Sequence, residues 1–113
     1  LLSNLEANAP ASVKASEIID MATINGAKAL GRKDTGEIKV GKKADLIVID
    51  LDKPHLKPLT DPAAVIVYSM KSSDVVMTFV NGKLLYDHGN YPFYDLNKIN
   101  KDFDEALKRL NIK

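Results

Sequence analysis

The sequence predicts a small α+β domain, and three patterns carry this prediction. Leu46–Ile49 is a short apolar run, rich in β-branched residues and enclosed by two aspartates, which is typical of a buried strand. Asn81-Gly82 separates two strand-like runs, residues 75–80 and 83–86. This dipeptide favours a β-hairpin, because a type I′ turn needs positive φ at both central residues. Apolar residues then recur at helical spacing towards the C-terminus.

The first thirty residues contain two helical patterns. A weak apolar stripe occupies residues 1–9 and ends at Pro10. Residues 15–30 show a stronger pattern that residues 23–26 interrupt, so we expect either two short helices or one helix with a kink. Gly31 follows where a glycine commonly ends a helix.

The middle of the chain predicts one strand pair and one excursion. Residues 37–40 alternate between polar and apolar, so we expect them to pair with Leu46–Ile49, which we expect to be buried on both faces. Residues 51–62 contain three prolines, which a strand with ladder hydrogen bonds does not tolerate. This segment is predicted to be an extended excursion.

Two aspartates are candidate helix caps. Asp61 followed by Pro62 is typical of a helix start, whereas residues 65–67 favour a strand; we favour the short helix. Residues 88–92 form a predicted loop. Asp95 then precedes a final helix with one apolar face, made of Leu96, Ile99, Phe103, Leu107 and Leu110.

Composition excludes several classes of function. The chain has 113 residues, 16 basic and 15 acidic, with a net charge of +1, and the charges are interspersed. We therefore expect no nucleic-acid partner and no membrane partner. The absence of cysteine fits a reducing cytoplasm, where we expect this protein. The start at Leu1-Leu2 is not that of a signal peptide and suggests a fragment or a trimmed product.

The residues that most often carry catalysis or metals show no catalytic pattern. The histidines are His55 and His88, without a His-x-His or His-Glu-x-x-His arrangement. We interpret His55 as an exposed or loop-capping residue, with a ligand or acid–base role as the alternative, and His88 as a loop residue. There is no Gly-x-Ser-x-Gly, and Ser72-Ser73 is interpreted as a polar turn.

The remaining candidates also favour structural roles. The segment from Gly36 to Lys43 resembles a phosphate loop only weakly, because it lacks the Ser or Thr after the lysine and precedes a strand. Asp45 and Asp50 are interpreted as caps of strand ends. Residues 91–94 form an aromatic cluster for core or interface packing, with pocket lining as the alternative. The sequence thus predicts no catalytic, cofactor-binding or metal-binding residue in this chain.

One segment resembles the C-terminal signature of the amidohydrolase superfamily. The matching positions are Gly36, Ile38, Gly41, Ala44, Asp45, Leu46, Ile49 and Asp50. Residues 21–31 resemble the last barrel-side helix of that family, and residues 76–85 resemble its closing hairpin. The loop of residues 53–62 is similar to the branch of 5-methylthioadenosine/S-adenosylhomocysteine deaminases, guanine deaminases and triazine chlorohydrolases. The resemblance covers roughly residues 1–90.

This resemblance implies an architecture. Family members have a (β/α)8 barrel that carries the active site, and a small β-sandwich assembled from strands before and after the barrel. Residues 1–35 would then be the helical end of the barrel, residues 36–94 the C-terminal part of the sandwich, and residues 95–113 a closing helix. The implied partners are the N-terminal strands and barrel of the same enzyme, together with further copies in a homo-oligomer.

The resemblance also implies a chemistry. In the family, histidines and an aspartate bind zinc or iron, and the metal-bound water attacks a ring carbon. All of those ligand motifs lie upstream of the matched segment, so this chain is predicted to be inactive alone. The alternative is a stand-alone small β module that acts through self-association or protein interaction.

Overall fold

A computed structural model describes residues 13–112. Its main elements are α1 (Ala15–Ala22), α2 (Ile24–Ala29), β1 (Leu46–Ile49), α3 (Pro62–Ser69), β2 (Val75–Val80), β3 (Lys83–Asp87) and α4 (Leu96–Arg109). Two 3₁₀ turns, Pro54–Leu56 and Ser72–Asp74, precede α3 and β2. The predicted α+β class is confirmed. The stripe predicted for residues 1–9 lies outside the described residues, and the assignment of the sheet to a sandwich stays a prediction.

The strands form one antiparallel sheet in the order β1-β2-β3. Leu46 pairs with Phe79, and the register shifts after Val48 so that Ile49 pairs with Val75. A β-bulge of this kind bends the strand and increases its twist. Within residues 13–112, β1 therefore has a strand on one side only.

The predicted hairpin is confirmed. Val80 pairs with Lys83, and the turn between them has φ of 51° at Asn81 and 76° at Gly82. Positive φ at both central residues is the backbone geometry that an Asn-Gly turn accepts with little strain.

The N-terminal helices end as the sequence predicts. Thr23 leaves helical geometry, with φ −119° and ψ −94°, so residues 15–30 form two short helices. After α2, Gly31 has φ 72°, and its N–H donates to Lys28 O while Arg32 N–H donates to Ala27 O. This pair of bonds is the Schellman motif that ends many helices. Within residues 13–112, no helix has the length and apolar character needed to cross a membrane.

The buried apolar centre is small and comes from the proline-rich segment and α3. Asp61 accepts a hydrogen bond from Ala63 N at 3.1 Å, so the N-cap decides in favour of the helix over the strand at residues 63–68. Leu56 and Val65 are the apolar residues that become buried in the described part of the chain. The proline-rich segment, predicted to be extended, thus contains a 3₁₀ turn, and this turn places Leu56 in the buried centre. α3 also packs against α1.

Two sequence predictions are wrong. Residues 37–40 do not form a strand, and Ile38 is 90% exposed; the chain instead enters a turn in which Lys42 N–H donates to Lys39 O. β1 is not buried on both faces either, since Ile47 is 51% exposed. The described residues cover Leu46 and Ile49 in part and leave Ile47, Val48 and the apolar residues of 37–40 exposed.

Gly36 brings the signature segment into direct contact with α2. Its φ is +96°, and an added Cβ would lie 2.8 Å from Ala27 Cβ and 3.0 Å from Ile24 Cα. Contacts this short require backbone movement. A side chain is therefore excluded here by the packing of α2 as well as by the backbone conformation.

We expect Gly36→Ala to destabilise the fold more than Gly41→Ala, the matched control. Gly41 also has positive φ, of 88°, but a Cβ there would meet nothing within 4 Å. Both variants strain the backbone, and only the first forces α2 away, which costs about 1–3 kcal/mol more. Urea unfolding measures the difference. Equal destabilisation by the two variants would show that the contact with α2 contributes nothing.

Candidate functional site

His55 and Asp74 form a polar contact that joins the two 3₁₀ turns. His55 Nε2 lies 2.7 Å from Asp74 Oδ2, and Lys71 N–H donates to the same oxygen at 2.8 Å. The Asp74 side chain is buried, whereas the His55 side chain is partly exposed. Because an ionised carboxylate only accepts hydrogen bonds, His55 donates. The interpretation of His55 as exposed or loop-capping missed this partner, since a contact between distant residues leaves no local sequence signal.

The charge of Asp74 is stabilised by these donors. The hydrogen bond from His55 lowers the pKa of Asp74, with help from Lys71 N–H and against the opposing effect of burial. A His–Asp pair serves catalysis when it orients the ring towards a nucleophile or substrate. Neither residue lines the two larger clefts of the described surface. We therefore interpret the pair as a clamp between the proline-rich segment and the start of β2.

Asp45 fixes the hairpin turn to the signature segment. Its Oδ1 accepts from Asn81 N–H at 2.7 Å, and Ala44 O accepts from Gly82 N–H at 2.9 Å. The predicted capping role of Asp45 is confirmed, and the cap holds the turn between β2 and β3. Asp50 also caps locally, accepting from Asp52 N–H at 2.9 Å.

The basic residues of the Gly41-Lys42-Lys43 turn are paired with acids. Lys42 Nζ lies 2.6 Å from Glu37 Oε1, and Lys43 Nζ lies 3.1 Å from Asp34 Oδ2. Arg32 also contacts Asp34, and its hydrogen bond is the main reason that the pKa of Asp34 lies well below its ordinary value. These cations are neutralised within the chain, and a strand follows the turn, so the weak phosphate-loop pattern has no functional counterpart here.

The aromatic cluster of residues 91–94 lies beside β3 and remains largely exposed. The rings of Tyr86 and Tyr91 have centroids 5.2 Å apart, and Lys83 Nζ lies 3.9 Å from the centre of the Phe93 ring. Tyr91 and Tyr94 also line a shallow groove of about 440 Å³. Ring packing and the lining of a groove, the two roles considered for this cluster, thus each have a partial counterpart in the structure. His88 is a loop residue, as predicted, and its Nδ1 lies 2.5 Å from Asp87 Oδ1.

The described residues do not fit a metal centre. Within residues 13–112, no three His, Cys, Asp or Glu side chains converge in a way that could hold a metal ion. Catalytic zinc sites use three protein ligands and keep a position for water or substrate. We therefore assign no zinc or iron ligand and no catalytic step to these residues. The prediction that the whole chain lacks catalytic residues stays a prediction.

An open apolar cleft lies between the α1–α2 pair and the β1–β2 face. Its volume is about 870 Å³, and its lining includes Ile24, Ala27, Ile38, Ile47 and Phe79. β1, which within residues 13–112 has a partner strand on one side only, contributes Leu46 and Ile47 to this cleft, and an unpaired strand edge offers backbone donors and acceptors to a further strand. An open surface lined by apolar side chains is suited to packing against another part of a protein.

Stability should fall with acidification partly through Asp74. Its pKa is lower in the folded than in the unfolded state, so its contribution is present above the unfolded value, about 3.9, and is lost as the pH falls through the folded value. We expect Asp74→Asn to flatten the pH dependence of the unfolding free energy below about pH 4. Asp52→Asn is the control, since that side chain is 92% exposed. An unchanged slope in Asp74→Asn would contradict the clamp.

Asp45→Ala should lower the unfolding free energy by about 1 kcal/mol, because Asn81 N–H loses its acceptor. Asp45→Asn keeps a side-chain oxygen at the same position and should recover most of this loss. Denaturant unfolding of the three proteins measures both effects. If the alanine and asparagine variants are equally stable, the hydrogen bond to the turn is not the reason for an aspartate at this position.

This chain is similar in sequence to one known protein family and to several deaminases. The model of the amidohydrolase family matches residues 1–85. The chain is 44% identical over 110 residues to the 5′-deoxyadenosine deaminase of Methanosarcina acetivorans, covering 97% of this chain and 25% of that protein. It is 43% identical over 102 residues to the 5-methylthioadenosine/S-adenosylhomocysteine deaminase of Acetivibrio thermocellus, covering 89% and 24%. The chain thus spans about a quarter of the length of these relatives.

Solved structures share the fold. An adenosine deaminase from Xanthomonas campestris with bound zinc superposes with a TM-score of 0.83 at 27% identity, covering 97% of this chain and 25% of that one. The atrazine chlorohydrolase of Arthrobacter aurescens, complexed with zinc, gives 0.76 at 29% identity, covering 88% and 22%. Family, relatives and fold agree, and the chain belongs to the amidohydrolase family.

Proposed function

We propose that this chain is the non-catalytic C-terminal portion of a metal-dependent amidohydrolase. The observation that carries the proposal is the 44% identity to a 5′-deoxyadenosine deaminase over nearly the whole chain but only a quarter of that enzyme. In the intact protein, the reaction is the hydrolytic deamination of a purine nucleoside or a related ring. Hydrolytic dechlorination of a similar ring is the related possibility, because a chlorohydrolase shares the fold.

The metal of the proposed enzyme is zinc, which the structurally similar adenosine deaminase binds. Its ligands belong to the part of the enzyme that this chain does not span. The chain's own role is to complete the fold around that part. A structural role for this chain is consistent with the hydrogen bonds of Asp45, Asp74 and His55, which join separate segments of the chain.

The cleft between α1–α2 and β1–β2 is the proposed contact with the rest of the enzyme. It presents exposed apolar side chains, including Ile38 and Ile47, beside the free edge of β1. Upstream strands would pair with that edge, and the barrel would cover α1 and α2. Covering one such side chain completely contributes about 1.5–3 kcal/mol. The contact would therefore stabilise both parts.

A second candidate function is a stand-alone module that acts through self-association. The observation in its favour is the exposed apolar stripe of α4. The two candidates differ in a measurable way, because only the first predicts that this chain can replace the C-terminal quarter of a deaminase.

A chimera tests the first candidate. The matching C-terminal segment of the Methanosarcina acetivorans enzyme is replaced by residues 1–113 of this chain, and release of ammonia from 5′-deoxyadenosine is measured with zinc present. We expect the chimera to be active, the isolated chain to be inactive, and the truncated enzyme without either segment to be inactive or insoluble. A soluble, zinc-loaded chimera without activity would argue against the proposal, as would zinc-dependent deamination by the isolated chain.

A further inference from the structure

A line of apolar residues along α4 that includes Ala106, with Leu107 of the predicted stripe beside it, has the spacing of a two-helix seam. Its core positions alternate three and four residues apart, as in a heptad repeat. The positions are Leu96, Ile99, Phe103, Ala106 and Leu110. Phe103 is 61% exposed, Ile99 48% and Leu110, the C-cap of α4, 69%, whereas the small Ala106 is half-buried. The described residues thus leave the large side chains of this surface mostly uncovered.

We propose that α4 pairs in antiparallel orientation with α4 of a second copy of this chain. This pairing deepens the second candidate function, since it rests on self-association and names the surface responsible, and it does not depend on the deaminase activity. Two features of the helix argue for a second copy as the occupant. They are the sizes of the core side chains and the signs of the flanking charges.

The core side chains are complementary in size in the antiparallel orientation. When Phe103 faces the partner's Ala106, the large ring meets the smallest residue of the stripe. In the same register, Ile99 faces the partner's Leu110. A parallel pair would instead set Phe103 against the same residue of the other copy. Alternation of large and small residues across facing positions is what gives a well-filled core.

The flanking charges are complementary in the same register. Asp102 and Arg109 each precede a core position, and such positions lie beside one another across an antiparallel seam. Twofold symmetry then creates two contacts, each between Asp102 of one copy and Arg109 of the other. In the described part of the chain, neither residue takes part in an ion pair. A parallel pair would place Asp102 beside the partner's Leu107.

Sedimentation of charge variants of the 113-residue chain tests this pairing. Asp102→Arg places only positive charges at the flanking positions, and Arg109→Asp places only negative ones. Each variant alone should dimerise about tenfold more weakly than the unchanged chain. An equimolar mixture of the two should recover the original affinity, because each contact then joins opposite charges. Lys101→Glu changes the charge on the outer face of α4 and should leave the affinity unchanged.

Each result is decisive. A dimer whose affinity falls in the separate variants and returns in the mixture supports the antiparallel seam. Circular dichroism of every variant ensures that loss of helix is not mistaken for loss of pairing. A chain that stays monomeric at all concentrations, with or without helical α4, overturns the proposal. So does a dimer that Phe103→Ala leaves intact, or one that is insensitive to both charge variants, since another surface would then hold it together.

Discussion

The contact between the signature segment and the hairpin turn is the constraint on which the rest of the structure depends. Ala44 O and Asp45 Oδ1 accept the N–H groups of Gly82 and Asn81, so the turn between β2 and β3 is fixed where β1 begins. Gly36 sets the same segment against α2. The segments that identify the family therefore contact one another, and these contacts give Gly36 and Asp45 structural roles.

This frame encloses few apolar residues of its own. In the described part of the chain, Leu56 and Val65 are the buried apolar side chains, while larger ones remain exposed on the cleft and on α4. Burial of apolar surface is the dominant favourable term in folding, and residues 13–112 bury little of it among themselves. The proposed barrel contact and the proposed α4 seam would supply that burial on two different surfaces.

Local chemistry made much of the fold predictable from the sequence. The Asn81-Gly82 turn and the N-caps Asp61 and Asp95 each depend on residues close in the chain, and each was predicted correctly. The clamp between His55 and Asp74 was missed, because nothing local links two turns. The burial predicted for β1 failed for a related reason: an apolar run signals that a cover is needed, not which part of the polypeptide provides it.

We propose that the signature residues stabilise the frame and do not take part in the reaction. Kinetics of the chimeric deaminase carrying Asp45→Ala test this most directly, alongside its thermal stability. We expect a lower melting temperature, with kcat and KM per folded enzyme unchanged. A folded, zinc-loaded variant with normal stability and a strongly reduced kcat would contradict it, because Asp45 would then act on the reaction and not on the hairpin turn.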